Sequence, residues 1–375
     1  MKFGELVLLV LSKINTSSQR ALNQYFEQSL KRKEHMSQQA LSKARSHMNH
    51  KPFEEMFREA VAEQYNGEYD IEVWEGYQIL ALDGSTAQLP SIPKLAREYG
   101  TIADAPTARI SILYDVLNDI ILDGRLATYD SKERELAKAH IEQVFPLLRP
   151  EKTIVTADRG YPSADFIGYV TGKGLNYVIR CSKTFNTAIE AARNNEVIEM
   201  DEAGHVRVLK FTLEGGEEEV LLTNLYEVEE SRFKALYFLR WKIESKYGML
   251  KQKHILENFS GYSTNVLLQD FWATLHVANM CAVARNEANE ELAEKRKDAQ
   301  TKYEYVVNYN EVVGSMKDVL LSSMFVSSRK KVDACFDVLS QQIKSALVPI
   351  RPNRTTPRPD NPRNAQFRHN RKINC

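Results

Sequence analysis

Two short apolar runs, each followed by an aspartate and a nearby glycine, constrain the fold of this 375-residue chain most strongly. The first run, residues 78–82, precedes Asp83, and the second, residues 153–157, precedes Asp158. Runs of this length that are bounded by glycine predict buried strands. Ligands of open sheets bind at the ends of strands. The sequence therefore places two carboxylates where a ligand would bind.

A third carboxylate lies on a predicted helix over residues 237–251. Tyr237, Arg240, Glu244 and Lys251 follow one another there, and at about 100° per residue a helix holds all four within roughly 60° of arc. The neighbouring arc carries an apolar stripe, formed by Leu239, Ile243, Tyr247 and Leu250. A carboxylate beside Arg, Lys and Tyr suits a site that handles phosphate, because the carboxylate binds a metal ion while the others bind phosphate oxygens.

Asp83, Asp158 and Glu244 make an oxygen-only ligand set, which hard cations prefer. We expect Mg²⁺, with Mn²⁺ as the alternative. Phosphodiester cleavage needs a deprotonated nucleophile and a stabilised leaving oxygen, and two metals about 3.5–4 Å apart supply both. We assign Asp83 as the bridge between them, with Asp158 and Glu244 each completing one. The histidines and cysteines show no zinc-like spacing; the cysteines are Cys181, Cys281, Cys335 and Cys375.

Each carboxylate also has a plain structural interpretation. Asp83 precedes glycine, a common turn pair, and Asp158 could cap a helix that starts near residue 163. Glu244 could form a surface ion pair with Arg240, four residues earlier. These interpretations leave the order and spacing of the three residues unexplained, so we favour the metal site.

The motifs resemble those of the DDE transposases of bacterial insertion sequences, specifically the insertion-sequence-4 group. The similar segments are 83–86 (DGST), 157–161 (ADRGY), 222–225 (LTNL), 237–251, 259–263 (FSGYS) and 40–45 (ALSKAR). The resemblance implies a ribonuclease-H-like fold and cut-and-paste transposition. In that chemistry the enzyme nicks DNA, forms a hairpin and joins the freed end to a target.

The resemblance also implies partners and roles. We expect double-stranded DNA (terminal inverted repeats and target), a homodimer on that DNA and a cytoplasmic, nucleoid-associated location, with no membrane, nucleotide cofactor or small-molecule substrate. Arg240 and Lys251 become phosphate clamps, Tyr237 donates to a phosphate, and Trp241 is expected to pack in the core. A ribonuclease-H-like metal-dependent nuclease and a DNA-binding inhibitor of transposition remain alternatives.

The fold class predicted is α/β: a mixed-sheet catalytic core with a β-rich insertion, flanked by helical N- and C-terminal regions. Strands are predicted at 77–83, 108–115, 118–127, 153–157 and 176–181, and helices at 131–144 and 163–172. The core occupies 71–185 and 229–290, and the acidic insertion 186–228 carries strands near 206–211 and 220–222. The resemblance implies an aromatic there that holds a flipped base; the insertion and its edge offer Phe211 and Phe185.

The flanking regions are basic although the chain has no net charge. Residues 1–50 carry a net charge of +5 and residues 346–375 one of +6, which leaves −11 for the rest. Residues 1–70 are predicted to be helical, and the resemblance favours a DNA-binding region that exposes Lys31, Arg32, Lys33 and Arg45 over the alternative of a helical cap on the core. Helices near 264–292, 308–324 and 329–346 lead through a C-terminal region, 291–348, to a proline-rich basic tail, 349–375, whose plainer role is solubility. No run is long enough to span a membrane.

Overall fold

The five predicted core strands are all present in the computed structural model, which describes residues 3–12, 22–23, 26, 36–66, 71–212, 216–297, 302–323, 326 and 328–351. They are β1 (Gln78–Gln88), β3 (Ala105–Asp115), β4 (Ile120–Thr128), β5 (Thr153–Ala157) and β6 (Asn176–Cys181), and a two-residue strand, β2 (Thr101–Ile102), precedes β3. The first and fourth of these core strands are buried: residues 79–82 of β1 and all five residues of β5 are inaccessible to solvent.

The strand order identifies the core. It runs β4-β3-β1-β5-β6, with β1–β3 and β3–β4 antiparallel and β1–β5 and β5–β6 parallel. This is the order and direction of the ribonuclease-H-like fold, so the predicted fold class is confirmed. The helices of this part are α4 (Pro93–Tyr99), α5 (Glu133–Val144) and α6 (Ala164–Gly172).

The predicted insertion extends the same sheet. After a short helix, α7 (Thr187–Ala191), come β7 (Glu196–Met200), β8 (Gly204–Thr212) and β9 (Glu218–Thr223). β9 pairs with β6, and β8 and β7 follow outward, all antiparallel. The strands expected near 206–211 and 220–222 are therefore confirmed. The acidic β7 had no apolar pattern to predict it.

A buried polar network anchors α5 to the sheet. His140 of α5 is inaccessible to solvent, and its Nδ1 lies 2.8 Å from Asp123 of β4 while its Nε2 lies 2.9 Å from Ser111 of β3. Burial lowers the pKa of His140, and the bond to Asp123 opposes this. Because the network satisfies both ring nitrogens, it fixes how α5 lies on the strands.

The chain divides into two compact units, residues 58–249 and residues 1–57 with 250–375. The first contains the sheet, together with α8 (Glu230–Leu239) and most of α9 (Lys242–Gln252). The second is mainly helical; its elements are α1 (Phe3–Ser12), α2 (Gln38–His47), the start of α3 (Lys51–Asn66), α10 (Thr264–Lys295), α11 (Tyr309–Ser323), α12 (Arg329–Ser345) and the paired strands β10 (Tyr305–Val307) and β11 (Leu347–Pro349). The domain boundaries drawn from the sequence stay predictions.

The predicted exposure of Arg45 is wrong. Arg45 is buried and its Nη2 lies 2.9 Å from Asp270 Oδ1, while its Nε donates to Gln269 Oε1 at 3.1 Å. Asp270 in turn accepts from the backbone of Ser260. Segments 40–45 and 259–263, both of which resemble transposase motifs, thus contact the same ion pair, Arg45–Asp270. This buried pair holds the two segments together. Lys31, Arg32, Lys33 and the tail beyond Arg351 lie outside the described residues.

Candidate active site

The two aspartates lie opposite each other on neighbouring strands. The parallel pairing of β1 with β5 ends at Ala81 and Thr156, so the same register, continued by two residues, aligns Asp83 with Asp158. Neighbouring strands are about 4.8 Å apart. Asp158 follows β5 directly, as predicted. The two carboxylates therefore come together where the parallel part of the sheet ends.

Asp83 itself is not at the end of its strand, and this corrects the prediction. β1 continues to Gln88 because its antiparallel partner β3 pairs with it from Leu80 through Gln88. Gly84 is a strand residue, and its N–H donates to Asp83 Oδ1 at 2.8 Å. The turn interpretation of Asp83 is therefore wrong. The helix-cap interpretation of Asp158 fails as well, since Ser163 caps α6 by accepting from the N–H of Phe166 at 3.1 Å.

Burial raises the pKa of Asp83 to about 7. The hydrogen bond from Gly84 and the charge of Arg240 oppose this rise, whereas the negative charges of Asp158 and Glu244 add to it. Ionised Asp83 is therefore poorly stabilised by its own protein. A divalent cation beside it would supply the missing positive charge.

The predicted single helix over 237–251 is wrong. α8 ends at Leu239, and the chain makes a tight turn before α9 begins at Lys242. In this turn the N–H groups of Arg240 and Trp241 bond three residues back, at 3.1 Å each, rather than four. Three-residue bonding changes the rotation per residue, so the 60° arc calculated for a continuous helix does not hold across the turn.

Glu244 sits in the first turn of α9 and is held by Arg240. Arg240 Nη2 lies 3.0 Å from Glu244 Oε1, with Arg240 buried and Glu244 about 43% exposed. The guanidinium also lies 5.5 Å from the centre of the Tyr237 ring and 5.6 Å from that of Trp241. The ion pair between Arg240 and Glu244, which was the structural interpretation of Glu244 from the sequence, is thus present. Trp241 is 45% exposed, so its predicted place in the core is wrong.

Two tyrosines connect the helices to the sheet beside the aspartates. Tyr247 of α9 donates its hydroxyl to the backbone carbonyl of Asp83 at 2.8 Å. The Tyr237 hydroxyl lies 3.5 Å from the carbonyl of Ala157, the last residue of β5. Burial raises the pKa of Tyr237 to about 12. Both hydroxyls remain protonated and hold α8 and α9 against the strand segments that carry Asp83 and Asp158.

A buried lysine also holds α9 in place. Lys246, two residues after Glu244, is inaccessible to solvent and its Nζ lies 3.0 Å from Asp119 Oδ1. The Tyr114 hydroxyl donates to the same oxygen at 2.5 Å. Asp119 lies in the β3–β4 turn with a φ of 58°. The position of Glu244 therefore depends on a charged contact that is shielded from water.

The oxygen donors of these residues are of the type that divalent cations prefer, but they are not arranged as a metal site. Within the described parts of the chain, no three acidic, histidine or cysteine side chains are close enough to hold a metal ion, and Glu244 is engaged with Arg240. The buried hydroxyl of Tyr161 has no hydrogen-bond partner among the residues that the structure describes. Burial raises its pKa well above the usual range, and the charges of Glu133, Asp83 and Asp158 add to this. The acidic end of the sheet thus combines oxygen donors with an unsatisfied buried polar atom.

Lys251 is the one predicted site residue outside the first unit. It lies near the end of α9 and belongs to the second unit, where its Nζ is 3.7 Å from Glu257 Oε1. The five others, Asp83, Asp158, Tyr237, Arg240 and Glu244, belong to the first unit.

The sequence interpretation missed Glu133 and its partner Arg109. Glu133 is the first residue of α5, and Arg109 Nη1 of β3 forms an ion pair with its Oε1. Gly84 was the available signal, since a Cβ at that position would lie 2.9 Å from Glu133 Oε1.

Comparison with known proteins identifies the family. The sequence profile for the transposase DDE domain matches residues 74–280. A segment of 148 residues is 25% identical to "Putative transposase InsZ" of Escherichia coli (strain K12), covering 38% of this chain and 48% of that protein. The chain thus matches about half the length of this curated relative.

Among solved structures, the chain is similar to the piggyBac transposase in its cryo-EM synaptic complex with hairpin DNA. The TM-score is 0.48 at 12% sequence identity, over 96% of this chain and 77% of that chain. None of the described helices is both long and apolar enough to cross a membrane. Because the transposase profile matches more than half of its length, this chain belongs to the transposase DDE domain family.

Proposed function

We propose that this chain is a cut-and-paste DDE transposase of the insertion-sequence-4 group. The observation that carries the proposal is the alignment of Asp83 with Asp158 on parallel strands, beside a helix that bears Glu244 and is tied to Asp83 through Tyr247. The family supports metal-dependent chemistry on DNA. Its substrates would be terminal inverted repeats and a target duplex, bound by a homodimer.

Asp83, Asp158 and Glu244 would hold Mg²⁺ or Mn²⁺. When bound, the ions would help deprotonate the attacking water or 3′-hydroxyl and stabilise the leaving oxygen. To bind a metal ion, Glu244 would release its ion pair with Arg240. The buried Arg240 guanidinium would remain near the carboxylates and balance their negative charge. Tyr247 and Lys246 keep α9 in place during this exchange.

Contacts with DNA would come from the phosphate-binding candidates. Lys251, which is partly exposed, is proposed to contact a phosphate near the transposon end. Arg240 and Tyr237 are buried, so their proposed phosphate contacts require DNA to approach closely at the turn between α8 and α9. Replacing Lys251 with Ala should weaken binding by a similar factor on all sequences and reduce the salt dependence by about one phosphate.

The test uses the purified chain, Mg²⁺ and a labelled fragment that carries both ends of the element. We expect nicks at the element ends, hairpins on a denaturing gel and joined products when target DNA is added. EDTA and a fragment with scrambled ends serve as controls. Cutting without joining would replace the proposal with a nuclease, and specific binding without cutting would replace it with a DNA-binding regulator.

A further inference from the structure

The helices α5 and α9 lie on opposite faces of the sheet. The buried network of α5 reaches Ser111, which pairs with Gly84 across β1 and β3. The buried lysine of α9 lies 5.5 Å from the centre of the Tyr114 ring, and Tyr114 pairs with Ala81. Residues that pair directly share a face, and successive residues of a strand alternate between faces. Asp83 therefore faces α9, whereas Gly84 faces α5.

Four exposed cations border the end of the sheet at which Asp158 lies. Two belong to the start of α5, one to the turn after β5 and one to the turn after β6. They are Lys132, Arg134, Arg159 and Lys183. Among the described residues, none of their charged groups has an ion-pair or hydrogen-bond partner. We call these four residues the cationic rim.

Close approaches bring the parts of the cationic rim together. A Cβ on Gly160 would lie 3.5 Å from Glu133 Oε2, so the start of α5 lies beside the turn that follows β5. Arg134, the next residue of α5, lines a cavity of about 500 Å³ together with residues 162–164 and residues 185–188. These two segments directly follow the turns that carry the other cations. The rim is therefore one continuous surface.

The turn that carries Arg159 is fixed beside Asp158. The N–H of Gly160 donates to Asp158 Oδ1 at 2.9 Å, and the N–H of Tyr161 donates to the carbonyl of Asp158 at 3.2 Å. Arg240, in contrast, is only 4% exposed and its guanidinium is paired with an acid of the same chain. Arg159 thus presents a positive charge to solvent from a rigid position, which is the property that a phosphate contact needs.

We propose that the cationic rim binds the phosphates of the target duplex, while the element end lies on the side of α8 and α9. This role rests on the proposed function, because strand transfer brings two duplexes to one set of carboxylates. The proposed contacts with the element end, Arg240 and Tyr237, lie in or next to α8, and Asp83 faces α9. The rim on the side of α5 is available for the second duplex. Contacts with phosphates carry no sequence information, which suits the binding of duplexes that differ in sequence.

Acidic residues limit the surface that target phosphates can contact. Glu199 and Asp201, at the end of β7, line the same cavity as Arg134, and their charges repel phosphate. Target DNA should therefore contact α5 and the turn after β5 rather than the end of β7. Glu199→Gln removes a like charge and should strengthen target binding about two- to threefold. Weaker binding by this variant would contradict the limit.

The first experiment measures how target binding depends on salt. The full chain is loaded with a pre-cut element end in EDTA and titrated with a duplex of random sequence at several salt concentrations. Arg134→Gln and Arg159→Gln should each raise the dissociation constant roughly three- to tenfold at low salt and reduce the salt slope by about one. The double variant should reduce the slope by about two. Arg149→Gln is the matched control, because Arg149 is equally exposed but precedes β5 at its opposite end.

The second experiment measures joining of pre-cut ends in Mg²⁺. The target concentration that gives half-maximal joining should rise in Arg134→Gln and Arg159→Gln by the same factor as the dissociation constant. The joining rate at saturating target should stay close to that of the unaltered chain. Arg159→Lys keeps the charge and should bind target almost normally. A merely structural role would instead lower the saturating rate and would not be rescued by lysine; thermal melting checks that each variant folds.

The outcomes separate the role of the rim from the proposed function. An unchanged salt slope in the double variant would overturn the rim. Equal weakening of binding to the element end without target would also overturn the proposal, because it would assign the rim to the end. If the rim variants lose affinity for random duplex but the unaltered chain neither cuts nor joins, the rim stands as a DNA-binding surface and the proposed function fails. Failure of the unaltered chain to bind either DNA would overturn both.

Discussion

Replacing Asp83 with Asn should stabilise the metal-free protein above neutral pH. Burial raises the pKa of Asp83 from 3.8 to about 7. Since one pKa unit corresponds to about 1.4 kcal/mol, ionised Asp83 costs the folded state about 4 kcal/mol. We expect a gain of roughly 2 kcal/mol, because the amide must also be buried. For the unit of residues 58–249 this corresponds to a melting temperature about 4–8 °C higher.

The sign of the pH dependence follows from the raised pKa. Between pH 4 and 7 the folded state retains the proton that the unfolded state has lost, so the stability of the unaltered protein falls as the pH rises. The advantage of Asp83→Asn should therefore be full above pH 7 and less than half as large at pH 5. Calorimetry in EDTA at both pH values measures it, and Asp104→Asn, at an exposed turn residue, is the control. A variant that is less stable than the unaltered protein at pH 8, or equally stabilised at pH 5, would refute the reasoning. Adding Mn²⁺ should raise the melting temperature of the unaltered protein and of Asp104→Asn, but not that of Asp83→Asn.

Three further predictions address packing and DNA affinity. Lys246→Ala leaves Asp119 buried without its cation and should destabilise the protein by about 3–5 kcal/mol, whereas the double variant with Asp119→Ala should recover part of this loss in thermal unfolding. Gly168→Ala would place a Cβ 2.3 Å from the carbonyl oxygen of Glu202 and should destabilise the protein by about 1–3 kcal/mol, which lowers its melting temperature. Gly172→Ala in the same helix is the control, because its Cβ would meet nothing within 4 Å and should leave the melting temperature unchanged. Equal effects of the two substitutions would contradict the close contact of Gly168 with Glu202. Deleting residues 352–375 should weaken binding to repeat and random DNA by similar factors, more so at low salt, and loss of discrimination in a titration with both DNAs would contradict this.

The fold was predictable where apolar residues have no alternative to a buried strand. The runs at 79–82 and 153–157 are completely buried, and their pattern alone located β1 and β5. The acidic strand β7 and the pairing of β10 with β11 escaped prediction, because tertiary partners rather than apolar periodicity decide those segments. The end of β1 was misplaced for the same reason, since β3 sustains it beyond Asp83.

The sequence predicted that Asp83 and Asp158 follow neighbouring buried strand segments, although Asp83 lies inside β1 rather than at its end. It predicted the partners of the arginines less well. Whether an arginine binds DNA or pairs with an acid of the same chain depends on tertiary packing, and the spacing of residues along the sequence does not reveal it. Arg45 is paired with Asp270, and Arg240 is paired with Glu244. The ion pair of Glu133 with Arg109 could not be predicted from the sequence either, because only the folded sheet brings α5 beside β3.

The most direct test of the central claim compares Asp83→Asn, Asp158→Asn and Glu244→Gln on a DNA fragment that carries an element end. Binding is measured by gel shift and cleavage by denaturing gel, both in Mg²⁺, with Glu135→Gln as the control. The account predicts that all three variants bind the end about as well as the unaltered chain and that none produces nicks or hairpins. Cleavage at a near-normal rate by any one of them would contradict the assignment of that residue to the active site.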